Sequence, residues 1–125
     1  MTQKPVILVV DDDVPILMLM HNLLREFGFE AVTVNNGQKA IDGALARTPD
    51  LILLDKNMPG MPGDEVIRTL RSTARLASVP ILILSGEPVG PDEITRLGAN
   101  GAVLKPFDVP ELIHQIRSYI GAAHA

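Results

Sequence analysis

Apolar residues along this chain fall into two kinds of stretch. Continuous runs recur as VILVV (6–10), LILL (51–54), ILIL (81–84) and AVL (102–104), and a weaker alternating run, EAVTV (30–34), lies between the first two. A short unbroken apolar run fits a strand covered on both faces, the habit of parallel sheets. Between the runs the spacing becomes helical. Ile16, Met20, Leu23, Leu24 and Phe27 share one helical face, and Gly28 follows as a stop. Ala40, Ile41, Ala44 and Leu45 form a second face, and Val66, Ile67 and Leu70 a third. Leu112, Ile113, Ile116 and Ile120 form the last, after Pro110. These stripes read as core faces and nothing more. The fragment PDEITRL (91–97) is the one weak helix, short and crowded at its start by Pro88 and Pro91.

Strand–helix alternation repeated five times predicts an α/β fold: right-handed βαβ units building one parallel sheet with helices on both faces. No repeat, low-complexity segment or linker interrupts it. A length of 125 residues points to a single domain over 1–125, large enough to bury a real core.

Composition narrows the function by exclusion. Net charge is −4 and no block of Lys or Arg stands out, which argues against direct binding of nucleic acid. With no cysteine, disulfides, zinc–thiolate sites and thiol catalysis are excluded. VILVV is far too short for a signal peptide or a membrane span. The expectation is a cytoplasmic domain without membrane contact.

The polar residues that end the apolar runs are more telling. Asp11, Asp12 and Asp13 follow the first, Asp55 the third, Ser85 the fourth and Lys105 the fifth. All strand C-termini of a parallel sheet lie on one edge, where open α/β sheets bind their ligands. If the first and third strands are neighbours, Asp11, Asp12 and Asp55 form one acidic pocket, and the long stem of Lys105 can lean toward it. Taken singly, each residue has a plainer reading: helix cap, turn residue or surface lysine. Asp13 fits a cap at the start of the first helix. It is the coincidence of complementary groups at four strand ends that points to a site.

Crowded carboxylates are costly. Two unit charges about 4 Å apart repel by roughly 4 kcal/mol at an effective dielectric near 20, against a net stability of about 5–15 kcal/mol for a domain. A cation removes the conflict. Oxygen ligands without His or Cys select a hard ion, and Mg²⁺ typically takes one or two carboxylates, waters and a phosphate. A carboxylate can also attack phosphorus to give an aspartyl-phosphate, with Mg²⁺ and an ammonium group stabilising the transferring oxygens.

The segments ILVVDDD, DLILLDKNMPGMPGDEV, ILILSG and GANGAVLKPF together resemble the receiver domain of bacterial two-component response regulators, over nearly the whole chain. The resemblance implies a flavodoxin-like sheet in the order 2-1-3-4-5 and a phosphoprotein in signal transduction. Asp55 would be the phospho-acceptor, charged by a histidine kinase or a histidine phosphotransfer protein. Mg²⁺ would be held by Asp12 directly, by Asp11 mostly through water, by Asp55 and by the backbone carbonyl of Asn57. Ser85 would bond the phosphoryl group, and Lys105 the carboxylate and then the phosphoryl oxygens. Pro106 would follow a cis peptide bond. Asn57 and Glu87, two residues past Asp55 and Ser85, would tune how long the phosphoryl group survives. Such a protein is not an enzyme but an acceptor that assists its own phosphorylation and dephosphorylation, acting on an unknown downstream protein by contact.

Two features depart from the family pattern. The aromatic expected three residues before the lysine is replaced by Ala102, and the short 85–105 stretch with Pro88, Gly90 and Pro91 predicts a truncated fourth helix. Both lie on the face the family presents to targets. The last helix leads only into IGAAHA, so no output domain is expected, whether the chain acts alone or was cut from a longer protein. His21, His114 and His124 are expected at the surface. Two other readings stand beside this one. A pseudo-receiver would keep the fold without using phosphate, but such proteins lose the acceptor or a metal ligand, and all are present here. A haloacid-dehalogenase-type phosphatase would use Asp11-x-Asp13, but Pro15 stands where Thr or Val is expected and a late acidic pair is missing.

Overall fold

The computed structural model describes residues 4–124, with side chains placed over 4–120. Five parallel strands, β1 (Val6–Val10), β2 (Glu30–Val34), β3 (Leu51–Asp55), β4 (Ile81–Ser85) and β5 (Gly101–Leu104), form one sheet in the order β2-β1-β3-β4-β5. Helices α1 (Val14–Glu26), α2 (Gly37–Ala46), α3 (Gly63–Arg71), α4 (Pro91–Leu97) and α5 (Val109–His124) connect and cover it. This is the doubly wound, flavodoxin-like order expected.

The three central strands are buried at every position, which is why their sequences are unbroken apolar runs. Alternate side chains point to opposite faces and make two cores. Ile7, Val9, Leu51, Leu53, Leu82 and Leu84 pack under α1 and α5; Leu8, Val10, Ile52, Leu54, Ile81 and Ile83 pack under α2 and α3. The edge strands β2 and β5 are only partly covered, so their patterns are weaker.

Two apolar residues depart from the predicted core faces. Phe27 is 37% exposed: it caps the C-terminus of α1, with the Arg117 guanidinium over its ring, before Gly28 turns the chain at φ 92°. Leu45 is also exposed, at the last turn of α2. The fourth helix is short, as its prolines predict: α4 has seven residues and buries none of them. His21 is half-buried rather than exposed and His114 is exposed, while the side chain of His124 lies outside the described residues. Among the described residues no helix is long and apolar enough to cross a membrane.

Candidate functional site

Each predicted strand-end residue sits where the sequence pattern put it. Asp11 directly follows β1 and is fully buried, Asp12 is exposed beside it, and Asp55 is the last residue of β3, 6% exposed. Because β1 and β3 are hydrogen-bonded neighbours, the carboxylates meet: oxygens of Asp11, Asp12 and Asp55 lie within 4.8 Å of one another. Asp13 stays out of the cluster. Its side chain accepts a hydrogen bond from the Ile16 amide as the N-cap of α1, while its own amide donates to Asp11 at 3.0 Å.

Lys105 crosses two strands to reach this cluster. Its ammonium donates to Asp11 at 2.9 Å and to Asp55 at 3.4 Å, and its amide donates to the Ser85 carbonyl at 2.7 Å, fixing the base of the side chain against β4. Burial disfavours the ammonium, but the hydrogen bond and charge of Asp11, followed by Asp55, outweigh it and hold the lysine above its usual range. Asp55 moves the other way from an ordinary aspartate. Burial, then repulsion from Asp11, push its carboxyl up to about 6 against the pull of Lys105 and the Asn57 amide. One lysine does not neutralise three carboxylates. The remaining charge and the all-oxygen donor set suit a hard divalent cation.

Ser85 ends β4, buried, and its hydroxyl is engaged: it donates to the Glu87 carbonyl at 2.7 Å and accepts from the Glu87 amide at 3.1 Å. The side chains of Asn57 and Glu87 are exposed, and the Asn57 amide donates to Asp55 at 3.4 Å. The Lys105–Pro106 bond is cis, as expected. Ala102 is half-buried against the α2/α3 core, opposite Ile83.

The sequence reading assigned no role to three residues around the site. Lys56, next to the acceptor candidate, pairs with Glu93 of α4 at 2.8 Å. Gly63 opens α3 where a Cβ would stand 3.0 Å from the Lys56 carbonyl, so the loop after Asp55 packs directly on this helix start. Arg71 forks onto the carbonyls of Gly98, Leu76, Ala77 and Val79 and the Asn100 side chain. Only Gly63 is a fixed position of a motif, the D-x-x-M-P-G-x-x-G spacing from Asp55 to Gly63 within DLILLDKNMPGMPGDEV.

A family model, the response regulator receiver domain, matches residues 7–117. The chain belongs to that family. Within it, the polar-differentiation response regulator DivK of Brucella anthropi is 32% identical over 119 residues, covering 94% of this chain and 97% of that protein. The DNA-binding response regulator MtrA of Mycolicibacterium smegmatis is 36% identical, but the chain spans only 51% of its length. Among solved structures, the chemotaxis protein CheY4 of Vibrio cholerae superposes with a TM-score of 0.87 at 30% identity, covering 93% of this chain and 98% of that one. The receiver domain of the sensor histidine kinase PA1611 of Pseudomonas aeruginosa, 28% identical with a TM-score of 0.86 over 94% of this chain and 98% of its own, has a magnesium ion coordinated in its active site cleft. This receiver's acidic pocket is consistent with the same ion.

Proposed function

We propose that this receiver accepts a phosphoryl group on Asp55 from a phosphohistidine of a histidine kinase or histidine phosphotransfer protein. The observation that carries the reading is the convergence of Asp11, Asp12 and Asp55 with the Lys105 ammonium at one sheet edge. Asp55, ionised, attacks phosphorus; a P–O bond forms as the P–N bond to the donor imidazole breaks, and the imidazole nitrogen leaves with the electron pair and takes a proton. Lys105 follows the charge from the carboxylate to the phosphoryl oxygens. Asp11, Asp12, Asp55 and the Asn57 carbonyl would hold Mg²⁺, which when bound supplies charge neutralisation at those oxygens. Ser85 exchanges its bond to the Glu87 carbonyl for one to the phosphoryl group, and Asn57 and Glu87, at the mouth, set how readily water enters.

On this reading the protein is a signalling acceptor rather than a turnover enzyme, works in the cytoplasm where its donors are, and acts on a downstream protein by contact. Labelling with acetyl phosphate and Mg²⁺, followed by mass spectrometric mapping, tests it. Modification of Asp55, lost in Asp55→Asn, is expected. Modification of Asp11 would instead indicate the phosphatase reading, and no labelling under conditions that label other receivers would indicate a pseudo-receiver.

A further inference from the structure

The groove between α3 and α4 runs against the charge of the rest of the chain. It encloses about 450 Å³ and is lined by Asp64, Arg68, Arg71, Arg96, Leu97 and Gly98. Three guanidiniums stand against one carboxylate, a local balance of +2 on a chain of net −4. Among the described residues none of the three has a carboxylate oxygen closer than 4.0 Å. Arg68 lies 4.0 Å from Asp64 with its side chain 76% exposed. Arg96 is exposed, and Glu93, whose carboxyl it helps Lys56 hold below the usual range, pairs directly with Lys56 instead. Arg71 spends its N–H groups on neutral oxygens, so its charge faces the groove without a carboxylate partner, and burial alone pulls it below its usual range.

The groove adjoins a second cavity with an apolar floor. A space of about 200 Å³, floored by Leu54, Ile67, Ile83 and Leu97 and rimmed by Lys56 and Asn57 of the loop after β3, shares Asp64 and Leu97 with it. Charge and apolar floor together define a recognition chemistry: a negative segment with an aliphatic side chain beside its acids. We propose that the α3–α4 groove is a docking surface for an acidic, aliphatic-anchored segment of a partner protein. Nucleic acid fits less well, because a phosphate backbone has nothing to place over the apolar floor and is repelled by the overall charge. The proposal goes beyond phosphotransfer and does not depend on it, since the surface exists in the unmodified chain.

Nitrogen-15-labelled full chain titrated with a short capped glutamate-rich peptide carrying two leucines tests it. Amide shifts are expected to centre on Arg68, Arg96, Leu97 and Gly98, with affinity falling as salt rises. The variant Arg68→Ala/Arg96→Ala alters two exposed side chains and keeps the fold, and should bind roughly fivefold more weakly. Equal binding by this variant, equal binding of the same peptide with glutamines for glutamates, or shifts gathered elsewhere would overturn the proposal. Tighter binding of an oligothymidine at the same residues would also overturn it, assigning the groove to nucleic acid.

Discussion

Lys105 lies closer to Asp11 than to Asp55, 2.9 Å against 3.4 Å, so in the unmodified domain the lysine is first a counter-ion for a fully buried carboxylate. Removing one partner of a buried pair leaves the other charge uncompensated, at about 3–5 kcal/mol. Solvent reaches 22% of the lysine side chain and screens part of this. Lys105→Met should therefore lower stability by about 1–3 kcal/mol while keeping the fold, and Mg²⁺ should restore much of it. Urea titrations with and without the ion measure both effects. An unchanged midpoint in the variant would contradict the role given to the pair.

Asp55 makes the domain's stability depend on pH in a definite direction. Its carboxyl titrates near 6 in the folded chain, and near 3.9 when unfolded. Between those values the native state holds a proton that the unfolded state has lost. Stability from this group is thus greatest below pH 4, falls as pH rises to 6, and is level above, a change on the order of 2–3 kcal/mol. Asp55→Asn should abolish this component. The stability difference between wild type and variant, measured across pH 4–7 without divalent ions, should grow with pH; a constant difference would refute it.

How much of this was legible depended on how local each cause is. The unbroken runs of β1, β3 and β4 could be read because full burial leaves only apolar residues, and a parallel sheet then brings Asp11, Asp55, Ser85 and Lys105 to one edge. The resemblance supplied the strand order. Phe27 was misread as core because helical spacing cannot show that the helix ends beneath it. Arg71 and the Lys56–Glu93 pair were invisible: a polar residue on a helix or loop looks solvated until the fold brings carbonyls or a distant acid to it.

Arg71 is accordingly the strongest stability prediction outside the site. It joins the end of α3, the turn at 76–79 and the α4–β5 connection through the Gly98 carbonyl and Asn100. Arg71→Ala strands several partly buried carbonyls at once and should cost roughly 2–4 kcal/mol. Arg71→Lys should recover less than half, because an ammonium cannot fork across them. Thermal denaturation of the two variants checks the order; equal stability of Arg71→Ala and wild type would refute the clamp.

The acidic pocket should respond to metal. Crowded carboxylates destabilise the metal-free protein, and a ligand at a hundredfold excess over its dissociation constant stabilises by about 2.7 kcal/mol. Millimolar Mg²⁺ should raise the melting temperature of the wild type, and Asp12→Ala should abolish that rise while itself being no less stable without the ion. No shift in the wild type would count against the pocket.

On the proposed phosphotransfer reading, position 102 supplies no route for the signal, because Ala102 has no ring to move. The structure offers a different one. The Ser85 hydroxyl holds the Glu87 carbonyl at 2.7 Å, and a phosphoryl group on the adjacent strand end competes for the same proton. Once that bond is exchanged, the loop after β4 loses a tether. Downstream, α4 fully buries no residue and has no side-chain cap; Leu97 packs only partly against the α2/α3 core, and the polar ties are the Lys56–Glu93 pair at one end and the Arg71 bond to Gly98 at the other. Segments with so few buried contacts open at low free energy, and a small differential interaction shifts their populations. Residues 86–97 should therefore change hydrogen-exchange protection when beryllofluoride and Mg²⁺ occupy the site, and a partner should read them together with α5. Ser85→Ala should flatten the response, whereas Glu93→Gln should lower protection of 91–97 in the unmodified protein by releasing Lys56. Unchanged protection across 86–97, with all changes confined elsewhere, would sink this route.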